Sequence, residues 1–148
     1  MNTGLTTEMK EFNRLYKETD NLYSRYAASH GISPTMLCLL YSLCTEDTAC
    51  TQTGLVDNWG IPMQTVNSCL KSMEKSGLVR LVFAEGSRKS KSILLTELGQ
   101  SEAERIIAPL VQAENMALDA LGAEARQQLL ALTKQHTCLL RQYLFDTK

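Results

Sequence analysis

The sequence predicts a mainly α (α+β) fold with a single short β-hairpin, and three observations predict it. Apolar residues recur at intervals of three and four over most of the 148 residues, the period of helices that each bury one stripe. That period breaks between Leu78 and Leu95, where β-branched and aromatic side chains crowd together. Glycines at 31, 60, 77, 86 and 122 stand where one pattern gives way to the next.

Hydrophobic residues make up 44% of the chain and charged residues 21%, which supports a packed core and excludes a disordered or low-complexity chain. No stretch approaches the roughly 18 apolar residues of a membrane span. The first eight residues have neither a basic start nor an apolar run, so they do not read as a signal peptide. A cytoplasmic protein without membrane contact is expected. The five cysteines (Cys38, Cys44, Cys50, Cys69 and Cys138) are odd in number and include no C-x-x-C pair. Reduced and mostly buried thiols are therefore expected, not disulfides or zinc ligands.

Taken in order, Leu5 to Ser29 reads as one long helix, with Leu5, Met9, Phe12, Leu15, Tyr16, Leu22, Tyr23 and Tyr26 on one stripe. Gly31 ends it. Ser33 before Pro34 supplies an N-cap and a first-turn proline, opening a helix that is apolar nearly all round through Cys44. Thr51 or Thr53 caps a short helix to about Trp59. Gly60-Ile61-Pro62 is a turn, and a second short helix runs to about Ser76 with Val66, Cys69, Leu70 and Met73 inward. Leu78–Ala84 and Ser92–Leu95 read as two strands around a polar turn. Thr96 caps a helix to about Leu121 with Pro109 as a kink, and a last helix runs from about Ala123 to Phe145.

Two short helices across a tight turn, followed by a hairpin with a basic tip, is the layout of a winged helix-turn-helix with long flanking helices. The second short helix presents Met63, Gln64, Thr65, Asn67, Ser68 and Lys71 away from its apolar stripe. Gln and Asn can bond adenine bidentately in the major groove, and Ser or Thr can meet several base edges. Arg88, Lys89 and Lys91 at the hairpin tip suit phosphate. Charge is segregated accordingly. Pro62–Leu95 holds six basic against two acidic residues, whereas the rest holds nine against fourteen, as a phosphate-facing surface requires.

Three segments carry a further likeness: Ser33-Pro34, the run from Leu70 through Gly77-Leu78-Val79, and Leu94-Leu95-Thr96-Glu97-Leu98-Gly99. In this order and spacing the chain resembles the MarR family of bacterial transcriptional regulators, with Met73 where the family usually has Leu. The resemblance implies a homodimer joined by the first and last helices, binding a pseudo-palindromic operator in double-stranded DNA. It also implies release by a small, often aromatic, ligand. One departure is local: Ser87, Arg88 and Lys89 stand where the family wing carries Asp-x-Arg, so the brace for a wing arginine is missing. The organisation expected is a DNA-binding winged helix-turn-helix over 33–99, with a helical dimerisation region from 1–32 and 100–148.

The competing readings are plainer. A protein-binding winged helix without specific DNA contact is one alternative, and the charge segregation argues against it. A cysteine-based redox sensor is another. Cys38, Cys44 and Cys69 fall at core spacing, leaving Cys50, just before a cap, as the least buried candidate. Tyr23, Tyr26 and His30 can border a ligand cavity, though aromatic packing in a dimer core suits them as well. No G-x-S-x-G, phosphate loop or H-E-x-x-H is present, so neither an enzyme, a cofactor nor a metal is expected.

Overall fold

A computed structural model of the chain describes residues 4–46, 50–83 and 91–146. The first helix, α1 (Thr7–Ser29), starts at Thr6, whose hydroxyl accepts from the Met9 amide. It closes on Gly31, where the Ile32 and Gly31 amides reach back to the Ala27 and Ala28 carbonyls at 3.1 and 3.0 Å. Two carbonyls that lack helical partners are satisfied this way, and the turn needs the left-handed φ of +70° found at Gly31. Helix α2 (Pro34–Thr45) is capped by Ser33, which accepts from the Met36 amide at 3.1 Å. Its buried Leu37, Leu39 and Leu40 form the middle of the core.

Helix α3 (Gln52–Trp59) takes Thr51, not Thr53, as its cap. Helix α4 (Met63–Lys75) follows after Gly60 and turns Val66, Leu70 and Met73 inward. It ends as α1 does: the Gly77 and Leu78 amides bond the Glu74 and Met73 carbonyls at 3.0 and 2.9 Å. Strands β1 (Val79–Phe83) and β2 (Lys91–Leu95) pair antiparallel, with Val79 opposite Leu95 and Phe83 opposite Lys91. Residue 51 adds an isolated bridge to Ser92.

Helix α5 (Glu97–Ala120) contains Pro109. Helix α6 (Ala123–Arg141) leads into a π-helical turn, Gln142–Asp146. The final turns expected as ordinary helix to Phe145 are therefore wider ones. The chain divides into two compact units, Met1–Ile107 and Ala108–Lys148. In the first, the three-helix core sits under the hairpin. In the second, α6 carries no buried residue, and Leu129, Leu130, Leu132, Leu139 and Leu140 are all at least two-fifths exposed.

Candidate nucleic-acid interface

The turn between α3 and α4 is fixed from both sides. Gly60 adopts φ +62° and ψ 22° and donates to the Val56 carbonyl at 2.9 Å, a conformation that costs a side-chain-bearing residue about 1 kcal/mol or more. Before it, the Trp59 indole N–H donates to the buried Ser42 hydroxyl at 2.8 Å, and the ring meets Tyr41 edge-on at 6.1 Å. Helix α3 is thereby pinned to α2. The apolar stripe of α4 then settles its roll, and the opposite face is left to solvent.

On that face Met63, Gln64, Thr65, Ser68 and Lys71 are exposed. Ser68 donates its hydroxyl proton to the Gln64 carbonyl at 2.9 Å. The Gln64 amide and the Lys71 ammonium are engaged by no side chain among the described residues, so their hydrogen-bonding capacity is available to a partner. Asn67 differs. It is half-buried, and its Oδ1 is enclosed without a hydrogen-bond donor, so Asn67 does not share the open position of Gln64.

Arg88 and Lys89 lie outside the described residues. Lys91 is exposed at the start of β2, and its ammonium stands 5.4 Å from the centroid of the Phe83 ring directly across the ladder, a cation–π distance. The base of the hairpin is locked to α5. Thr96 donates its backbone N–H to the Leu78 carbonyl at 3.0 Å and its hydroxyl proton to the Gly77 carbonyl at 2.5 Å, and the same hydroxyl accepts from the Gly99 amide at 3.0 Å. The end of the recognition helix candidate, the hairpin and α5 thus meet at one residue. The capping role of Thr96 was readable from the sequence; its grip on Gly77 was not.

The residues suggested for a ligand are partly brought together. His30 lies beside Tyr26 with ring centroids 4.4 Å apart and ring planes tilted by 42°. The Tyr26 hydroxyl donates to the Ile106 carbonyl at 2.7 Å, tying α1 to α5, while Tyr23 is exposed. The cysteine expectation needs correction. Cys50 is the buried one, 7% exposed, whereas Cys44 and Cys138 are exposed. The reason is tertiary: the Cys50 carbonyl accepts from the Ile93 amide at 2.9 Å, which draws residue 50 under β2. Burial, with the Glu46 carboxylate alongside, pushes the Cys50 thiol up to about 11, the opposite of a reactive thiolate. Desolvation of the sulfur also raises Cys38 and Cys69, and it raises Cys44 too although that residue as a whole is exposed. Among the described residues no group of His, Cys, Asp and Glu is arranged to hold a metal ion, and no helix is long and apolar enough to cross a membrane.

The model of the MarR family matches residues 30–90, from just after α1 through β1 and ending before β2. Over residues 30–90 the chain is similar to the MarR family. The MarR fold extends beyond that segment. A MarR family regulator from Neisseria meningitidis is 19% identical and superposes with a TM-score of 0.81, over 97% of this chain and all of that one. MepR of S. aureus, solved in complex with DNA, is 20% identical with a TM-score of 0.68, over 90% of this chain and 98% of that one. A MarR family regulator from Listeria monocytogenes, solved with a 26mer DNA, is 23% identical with a TM-score of 0.68, covering 93% and 91%. At these identities the shared property is the winged-helix fold. No curated protein sequence matches the chain.

Proposed function

We propose that this chain is a sequence-specific DNA-binding transcriptional regulator, a repressor that acts as a homodimer on a pseudo-palindromic operator. The observation that carries the reading is the open polar face of α4. Gln64 and Lys71 stand unengaged on a helix rolled into place by its own core stripe, in the segment Pro62–Leu95 that holds six basic against two acidic residues. Gln64 reads base edges in the major groove, and Ser68 and Lys71 flank it. Lys91, with Arg88 and Lys89, neutralises phosphate.

A second copy supplies the second recognition helix. Supporting this, Leu5 just ahead of α1 and Phe12, Leu15, Tyr16 and Leu22 on it are exposed, and α6 with its π-turn exposes Leu129 through Phe145 at intervals, more apolar surface than a monomer usually leaves to water. The two half-sites then lie about one helical turn, ~10 bp, apart. The helical dimerisation region comprises 1–32 and 100–148 in this proposal. Release by a small aromatic effector completes it, with Tyr23, Tyr26 and His30 as the residues the sequence offers.

Selection of bound sequences from genomic DNA, followed by binding curves at several salt concentrations, tests the reading. Gln64→Ala should cost about 1–3 kcal/mol on the selected site and little on random DNA. Arg88→Ala or Lys89→Ala should weaken both alike and lower the salt slope by about one for each phosphate left without its cation. Equal loss on both DNAs for Gln64→Ala refutes base reading by α4, and no salt-sensitive complex at all favours a protein-binding module. A stable monomer at micromolar concentration in light scattering refutes the dimer.

A further inference from the structure

The hairpin carries one large side chain that the core does not explain. Phe83, at the end of β1, is 63% exposed, although Val79 and Ile93 on the same hairpin are buried. Directly across the ladder stands Lys91, exposed at the start of β2, with its ammonium 5.4 Å from the centroid of the Phe83 ring. Building on the DNA-binding reading above, we propose that Phe83 is a positioning residue. Its ring face holds the Lys91 ammonium ready for a phosphate of the DNA backbone.

The backbone beside Lys91 is already anchored. Ser92 is buried and bridged to residue 51, and the Ile93 amide donates to the Cys50 carbonyl at 2.9 Å. What remains to be ordered is the lysine side chain, a flexible four-carbon stem rich in rotamers. An ammonium within about 6 Å of a ring centroid is drawn to the electron-rich face, which at an exposed site favours the held rotamers about two- to fivefold. A carboxylate would hold the cation too, but it would cancel the charge and occupy N–H donors that phosphate needs. Among the described residues Lys91 takes part in no ion pair. The ring meets the ammonium on one side only, so its charge and its outward N–H donors stay open. Phe83 therefore braces Lys91 without neutralising it.

Phosphate contacts carry no sequence information, so the probe is a labelled random-sequence duplex, titrated by fluorescence anisotropy at several salt concentrations. Phe83→Leu removes the ring face but keeps an apolar side chain. It should weaken binding about two- to fivefold per wing, as the ready rotamers thin out, with the salt slope unchanged. Phe83→Tyr keeps the face and should bind as the parent does. Lys91→Gln should lower the slope by about one per wing, and adding Phe83→Leu to it should cost nothing more. In the chain without DNA, ring current should shift the Lys91 ε-methylene protons upfield, and Phe83→Leu should return them to their ordinary position. Equal losses for the Leu and Tyr variants, a Phe83→Leu loss that persists without Lys91, or an unshifted ε-methylene overturns the inference. Salt-sensitive binding that Phe83→Leu leaves unchanged overturns it too, while the DNA-binding reading stands. If the unaltered chain forms no salt-sensitive complex, the DNA-binding reading itself fails and takes this inference with it.

Discussion

Replacing Gly99 by alanine tests whether the junction between hairpin and α5 is as tight as its geometry. A Cβ at position 99 would lie 1.9 Å from the Leu78 carbonyl oxygen and 2.9 Å from its carbon. Contacts of real Cβ atoms stop near 3.0 Å, so the carbonyl must withdraw by at least the difference, about 1.1 Å. That carbonyl accepts from the Thr96 amide at 3.0 Å and lies 3.2 Å from the Thr96 hydroxyl. Overpacking costs about 1–3 kcal/mol, two weakened hydrogen bonds add about 2 kcal/mol, and alanine's better helix propensity returns about 1 kcal/mol. The expected loss is about 2–4 kcal/mol. Urea unfolding followed by the fluorescence of Trp59, the single tryptophan, measures it. Gly31→Ala is the control, because φ is +70° there but nothing lies within 4 Å of the added carbon, leaving a cost of about 1–2 kcal/mol from conformation alone. If Gly99→Ala loses less stability than Gly31→Ala, the close approach does not govern this junction.

Other consequences can be checked with the same instruments. Ser42→Ala removes the acceptor for the Trp59 indole N–H and should cost about 1 kcal/mol, with a shifted emission maximum; an unchanged spectrum and midpoint would show that Trp59 is held otherwise. Asn67→Leu removes a buried oxygen that has no donor and should raise the unfolding free energy by about 1 kcal/mol, while a decrease would reveal a partner for that amide. With its thiol raised from 9.0 to about 11, Cys50 holds only about one thiolate in a thousand at pH 8. Iodoacetamide should therefore modify it last, at a rate that climbs as pH rises toward 11, and early labelling at pH 8 mapped by mass spectrometry would contradict its burial. Arg14 bridges Glu11 and Glu18 at 2.8 Å each, but all three are more than half exposed. Arg14→Ala should leave the thermal midpoint unmoved, and a clear drop would show that the trio acts as a network.

Much of the fold was legible because its signals are local. Thr6, Ser33, Thr51 and Thr96 each place a hydroxyl beside the amide three residues on, and such a bond depends only on nearby backbone. Gly31, Gly60 and Gly77 stop helices because a left-handed φ is a property of single residues. The apolar stripe of α4 likewise fixed which face would remain for Gln64, Ser68 and Lys71. What the tertiary structure decided depends on residues far apart in the chain. Gly99 has no positive φ; it is required because Leu78, twenty-one positions earlier, brings its carbonyl against the α5 backbone. Cys50 reads as the least buried of the cysteines, just before a cap, yet Ile93 draws it under the hairpin. Asn67 and Gln64 share a helical face by spacing, but only packing turned the Asn67 oxygen inward. A sequence displays its own periodicity and caps, since these arise within one turn of chain. Distances between elements, and the groups they enclose, are set by how side-chain volumes fill the space between them, and one-dimensional pattern carries no record of that space.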